Sequence, residues 1–367
     1  MKAWPISADG VSLAVIETGA QLSDVRFSLA DGRVVAPMHT APWADEPLPA
    51  DTPPSLRVLR GDFLCAPFGD SDVIPGERRG HGLTANGQWS LVAHSAQSLD
   101  LSLNGEVMGA AVTAHVAVRP GHRAIYQRHV FSGGSGRLPL GHHAMLRADV
   151  PLKLAFSRRR WAGTPPSPIE TPPAGRSALA YPQDIRDLHH ARLANGGEAD
   201  IRTYPFAEGH EDIWMIVADE ELPFAWSAAT ASGAGWVWFA VKDPRVLPET
   251  VLWLSNGGRD YAPWSGRHRR VIGIEEVCSY FHLGHRASAA DNPFAAQGIP
   301  TSAELKPGSA LVVNYAFGVA EAPADFGAVA DIRPAQGGLT LSDDAGHSIF
   351  APFDLSHITG PSSRDHR

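Results

Sequence analysis

The dominant period in this chain is two. In 111–119, Val112, Ala114, Val116 and Val118 share one face, while Thr113, His115 and Arg119 share the other. That alternation belongs to a half-buried β-strand. A Pro120-Gly121-His122 turn leads into a second such run, 124–131, and two runs joined this way predict a β-hairpin. Comparable runs recur at 11–17, 21–29, 56–60, 89–95, 99–103, 138–145, 213–217, 235–242, 251–255, 271–277 and 310–317. Turn signals separate most of them: Asp31-Gly32, Asn104-Gly105, Asn256-Gly257 and Pro307-Gly308. Helix signals are few, with 323–332 the one candidate. The pattern predicts an all-β protein, a large antiparallel sandwich of roughly fifteen strands or more.

A length of 367 residues fits either two domains or one large β domain. Segments 41–54 and 162–176 each carry five prolines, which suits surface connections or the walls and lids of a site. Neither has the composition of a linker, so 1–367 reads as a single domain. Hydrophobic residues at 44% and charged residues at 19% exclude a disordered chain. A net charge of −8 with no basic block argues against nucleic acid or an anionic membrane as partner. The two cysteines, Cys65 and Cys278, cannot form a disulfide framework or a four-cysteine zinc site. Met1 to Ala20 has no basic region followed by an apolar stretch, and no window approaches 18 apolar residues. A cytoplasmic protein, monomer or homodimer, is the expectation.

No P-loop, GxSxG elbow or HExxH motif is present, and the glycine-rich 132–136 joins two strand-like runs rather than opening a helix. Histidine, at 17 residues, is the abundant reactive type, suited to proton transfer near neutral pH. Four contexts stand out: His81-Gly82, His142-His143, His189-His190 and His282-Leu283-Gly284-His285. The pairs invite a metal reading, although neighbours in a strand face opposite ways, which sets His142 against His143. Glu275 and Glu276 lie inside the apolar run 271–277. Alternation puts one outward into solvent and the other inward, where a charge needs partners or work to do.

Several blocks, in order, make the chain resemble the galactose mutarotase-like superfamily, the aldose 1-epimerases and their relatives. They are Arg60-Gly61-Asp62-Phe63-Leu64-Cys65-Ala66-Pro67-Phe68-Gly69, His81-Gly82 with Trp89 beyond, Leu140-Gly141-His142-His143, and Gly273-Ile274-Glu275-Glu276-Val277. The resemblance implies a β-supersandwich and a cofactor-free aldose 1-epimerase acting on a small-molecule sugar. By that resemblance Glu275 is the general base and His143 the general acid, with His142 the alternative should the match slip by one. His81 would bind sugar hydroxyls, Asp212 would be a sugar-binding acid, and Arg60 would lie near the substrate. The chain departs from the family pattern at Gly69-Asp70, where an Asn-Arg pair is usual, at Ala144-Met145 in place of an aromatic pair, and at Glu276 in place of a proline. These departures leave open a binding protein of the same fold without catalysis, and the histidine pairs leave open a metal-dependent isomerase or lyase. Six tryptophans, Trp89, Trp214, Trp236, Trp238, Trp253 and Trp264, are available to stack on sugar faces or to fill a core. The segment 253–261 could line one end of a cleft or form a tight hairpin.

Overall fold

The computed structural model describes residues 2–70, 72, 80–231 and 233–360. Among them, nine strands form one antiparallel sheet in the order Thr203–Tyr204, Leu152–Phe156, Ala225–Ala231, Trp236–Lys242, Ala310–Glu321, Ala124–Gly133, Ala110–Val118, Ser98–Val107 and Trp89–His94. The expected hairpin is there: Ala110–Val118 pairs in register with Ala124–Gly133. A second, seven-stranded sheet runs Arg159–Gly163, His210–Ala218, Glu249–Asn256, Val271–Cys278, Leu140–His142 and Leu64–Cys65, with Ala144–Arg147 also on Val271–Cys278. No described helix is long and apolar enough to cross a membrane.

The two sheets share one core, in which Trp214, Leu252, Ile272 and Ile274 of the smaller sheet join Trp238, Tyr315 and Phe317 of the larger. Each sheet is also covered on its far side. The three-stranded sheet Val329–Ala335, Gly338–Asp343 and Ser348–Pro352 packs Leu339, Leu341 and Ala351 with Tyr126, Val237 and Phe239 of the nine-stranded sheet. Loops carrying Trp43, Trp264, Phe281 and Phe294 pack with Met145, Ile213, Val251 and Trp253 of the seven-stranded sheet. Hence every residue of His210–Ala218, Glu249–Asn256 and Val271–Cys278 is buried, and these strands read as continuous rather than alternating runs.

Several sequence expectations change. Residues 323–328 form turns and lead into the strand Val329–Ala335, so no helix occupies 323–332. The run 56–60 begins as the short helix Pro54–Arg57. Asn104-Gly105 is a bulge inside Ser98–Val107, with Gly105 at φ +135° and the register slipping between Ser102 and Glu106. Asn256-Gly257 is no tight hairpin, because the next strand starts only at Val271. The run 138–145 divides into Gly136–Leu138, Leu140–His142 and Ala144–Arg147. Pro139, lacking an N–H, separates the first two. His143 separates the last two and donates its own N–H to Phe63 O at 2.9 Å.

Candidate active site

The covered outer face of the seven-stranded sheet encloses a cavity of about 270 Å³. Its floor is sheet. Val271–Cys278 supplies Glu275, Glu249–Asn256 supplies Trp253, and His210–Ala218 supplies Ile213. Trp253 stands in register with both Ile213 and Gly273, which puts them on one face. Glu275, two residues beyond Gly273, shares that face by the strand period. The Pro-rich segments form walls, through Pro53 from one and Ile169 from the other.

His143 and Glu275 meet at this floor. His143 Nε2 lies 3.2 Å from Glu275 Oε1, and both side chains are almost completely buried. The imidazole stacks on Phe63 with ring centres 4.9 Å apart, and meets Trp253 edge-on at 5.5 Å. Burial pushes the Glu275 carboxyl well above the usual carboxylate range. Burial, with the neighbouring His81 adding to it, pushes His143 well below the usual imidazole range. Both shifts favour the uncharged forms, a carboxylic acid beside a neutral imidazole.

His81 completes the group. Its ring lies edge-on to that of His143, 5.0 Å away. It sits at φ +67°, a conformation rare outside glycine, just before the short helix Gly82–Asn86. Gly82 follows at φ +64°, with its backbone so close to Ala66 that a Cβ would lie 2.1 Å from Ala66 O. Only glycine permits that approach. The His81 N–H is held by Gly69 O at 2.6 Å. Burial, helped by the charge of Arg259, lowers His81 to about 4.

Arg259 closes another side. Its Nε binds Glu170 Oε1 at 2.7 Å and lies 3.5 Å from Glu211 Oε1, while the guanidinium stacks on Trp264 at 4.4 Å. Glu211 accepts hydrogen bonds from Trp253 Nε1 at 2.6 Å and Ser255 Oγ at 3.0 Å. Burial raises it to about 7, against the opposing pull of Arg259 and these donors. The segment 253–261 thus lines the cavity through Trp253 and Arg259.

Three residues expected from the sequence lie elsewhere. His142 points between the sheets, where its Nδ1 meets Asp62 Oδ2 at 3.0 Å and its ring stacks on Tyr315. Asp212 is fully buried and accepts from the N–H groups of Ala178 and Leu179, from Tyr181 O–H and from His210, pinning that segment. Its neighbour Glu211 faces the cavity side instead, because a shift of one residue in a strand exchanges faces. Arg60 is half-buried among Val58 O, Ser23 and Gln21, off the cavity wall. Nor does Glu276 reach solvent. It is buried between the sheets, ion-paired with Lys242 and hydrogen-bonded by Ser227 and Thr250. The histidine pairs diverge as well. His285 Nε2 meets Arg137 O at 2.6 Å, while His189 and His190 are exposed beside Asp200 and Asp187. Among the described residues, no three of His, Cys, Asp and Glu are grouped to hold a metal ion.

The sequence matches no protein-family model and no curated protein. Solved structures do match. A candidate aldose 1-epimerase from Escherichia coli K12 superposes with a TM-score of 0.58 at 12% identity, over 87% of this chain and 99% of its own. A galactose mutarotase related enzyme from Lactobacillus acidophilus gives 0.52 at 11%, over 88% and 100%. A candidate aldose 1-epimerase from Klebsiella pneumoniae gives 0.52 at 16%, over 85% and 77%. At such identities the likeness is one of architecture, and by architecture this chain has the galactose mutarotase-like fold.

Proposed function

We propose that this protein is an aldose 1-epimerase, interconverting the anomers of a sugar by general acid/base ring opening and closure. The observation that carries the reading is the buried Glu275–His143 pair, 3.2 Å apart at the floor of a cavity that His81 also lines. The cavity is slightly smaller than the roughly 300–1,000 Å³ of drug-sized ligand sites, as one monosaccharide requires. Trp253, Trp264 and Phe63 offer apolar faces to sugar C–H groups.

One proton shared by the pair is enough for the reaction. Moving it from the Glu275 carboxyl to His143 Nε2 yields a carboxylate and an imidazolium without exchange with solvent. With a pyranose in place, the Glu275 carboxylate removes the proton from the anomeric hydroxyl. That O–H electron pair becomes the second bond of the C1 carbonyl as the C1–ring-oxygen bond breaks. His143 protonates the departing ring oxygen. Rotation about the C1–C2 bond presents the other carbonyl face, and the reverse transfers close the ring and restore both groups. Burial favours this chemistry by strengthening the charges once they form. The neutral His81 ring can donate and accept, which suits a hydroxyl.

Polarimetry of freshly dissolved D-glucose and D-galactose tests the reading. Wild type should hasten equilibration, and Glu275→Gln should lower kcat by roughly 10²–10⁴-fold with its melting curve intact. A Glu275→Gln variant as fast as wild type would remove Glu275 from the mechanism. Sugar binding by calorimetry with no acceleration by wild type would make the protein a carbohydrate-binding module of the same fold.

A further inference from the structure

We propose that His282 is the specificity-determining residue of this cavity: it hydrogen-bonds an unmodified hydroxyl of the sugar away from the anomeric carbon. This rests on the reading of the cavity as a sugar site and goes beyond it by assigning an end of the cavity that the acid/base pair does not touch.

His282 lines the cavity beside Gly69 and Asp70. Among the described residues its ring makes no hydrogen bond, ion pair or ring contact, and its Nδ1 is buried without a partner. The other imidazoles at or behind the floor each keep one buried nitrogen unpartnered as well, but their rings are held: His143 by Glu275 and Phe63, His268 by Ser255 and Trp253, and His81 edge-on by Phe68 and His143. Buried polar groups in folded proteins are almost always partnered, so an idle imidazole at a cavity wall points to a ligand.

The backbone around it is fixed. Phe281 sits at φ +53° and its carbonyl accepts from Ser279 Oγ at 2.8 Å. Gly69 approaches so closely that a Cβ there would lie 2.6 Å from His282 O. Gly284 packs on Asp70 in the same way, and the His285 N–H binds Asp70 O at 2.9 Å. Two segments far apart in sequence are thereby locked together with His282 between them. Rigid support of this kind is what a residue that discriminates ligands needs.

The chemistry selects a hydroxyl over an anion. Burial lowers His282 to about 4, with the charge of Arg259 adding to the effect, so near neutral pH the ring is uncharged and can donate through one nitrogen and accept through the other. Asp70, the adjacent acid on the wall, would repel a phosphate or carboxylate placed there and accept from a hydroxyl instead.

The test compares D-glucose and D-galactose with their 2-, 3-, 4- and 6-deoxy analogues, by polarimetry and calorimetry, for wild type, His282→Ala and His282→Gln. Wild type should disfavour one deoxy position by roughly tenfold or more in KM and Kd, the scale of one lost hydrogen bond in a dry site. In His282→Ala the parent sugar should weaken until that one preference vanishes, with kcat at saturation within about threefold of wild type. His282→Gln, which keeps a donor and an acceptor, should restore part of it. A folded His282→Ala that keeps every preference, or loses affinity equally for all sugars, would overturn the inference while leaving Glu275 in its role. Selective loss of binding by His282→Ala, with Glu275→Gln as fast as wild type, would uphold the inference and sink the proposed mechanism instead. A wild type that neither binds nor equilibrates any of these sugars would overturn both.

Discussion

Gly273→Ala provides a narrow test of the geometry at the floor of the cavity. A Cβ at Gly273 would lie 2.5 Å from Glu275 Oε1 and 3.2 Å from Trp253 Cβ, whereas ordinary contact begins near 3.4 Å. The flexible member of this group is the Glu275 carboxylate, which must yield by up to about 0.9 Å. Directed along the contact to His143, such a shift stretches 3.2 Å to about 4 Å and ends the direct contact. Misplacement of a catalytic group by about 1 Å can cost roughly 10²-fold in rate, so kcat should fall by about that factor. The fold should tolerate the change. Gly273 lies outside the left-handed region, so alanine fits the backbone, and replacing a strand glycine returns about 0.5–1 kcal/mol of chain entropy against the steric cost. Polarimetric rates and a thermal melt, measured on the same preparation, decide the matter. A variant with wild-type kcat would show that the Glu275 carboxylate need not sit where the structure puts it.

Two further expectations concern groups that pin the site. Glu211 has its pKa raised to about 7 from 4.5, so the folded state binds the extra proton between these values. Its contribution to stability is complete below about pH 4.5 and is lost as pH rises through 7, by up to about 3 kcal/mol. Glu211→Gln should remove that slope, so urea titrations at pH 5 and pH 8 should differ less in the variant than in wild type; an unchanged difference would refute the assignment. Lys242 Nζ pairs with Glu276 and donates to Glu249 O at 2.6 Å and Thr250 Oγ1 at 2.9 Å, all inside the sandwich. Lys242→Met strands the Glu276 charge and should cost about 3–5 kcal/mol, while Lys242→Met with Glu276→Met should recover much of it. Equal losses in the single and double variants, by denaturant unfolding, would mean that the pair is not what holds these strands together.

Much of this was legible along the chain because strand periodicity is local. The alternation at Val112, Ala114, Val116 and Val118 gave the hairpin, and the same rule separated His142 from His143 and Glu275 from Glu276. It could not say which face meets the other sheet and which meets a ligand. Asp212 looked like the more useful acid, yet it is Glu211, one residue earlier, that approaches the cavity, because the pairing of His210–Ala218 with Glu249–Asn256 puts Glu211, Ile213 and Trp253 on the loop-covered face. Likewise Glu276 needed Lys242, 34 positions away and on the other sheet, before its burial made sense. His282 appeared only as half of a metal-like pair, since nothing near it in sequence reveals that Gly69 and Asp70 close against it. The sequence by itself determined the strands, the turns and the types of group able to move protons. The tertiary structure decided which of those groups share a cavity, because that depends on contacts between distant segments whose energy exists only once both sheets and their covering loops have packed.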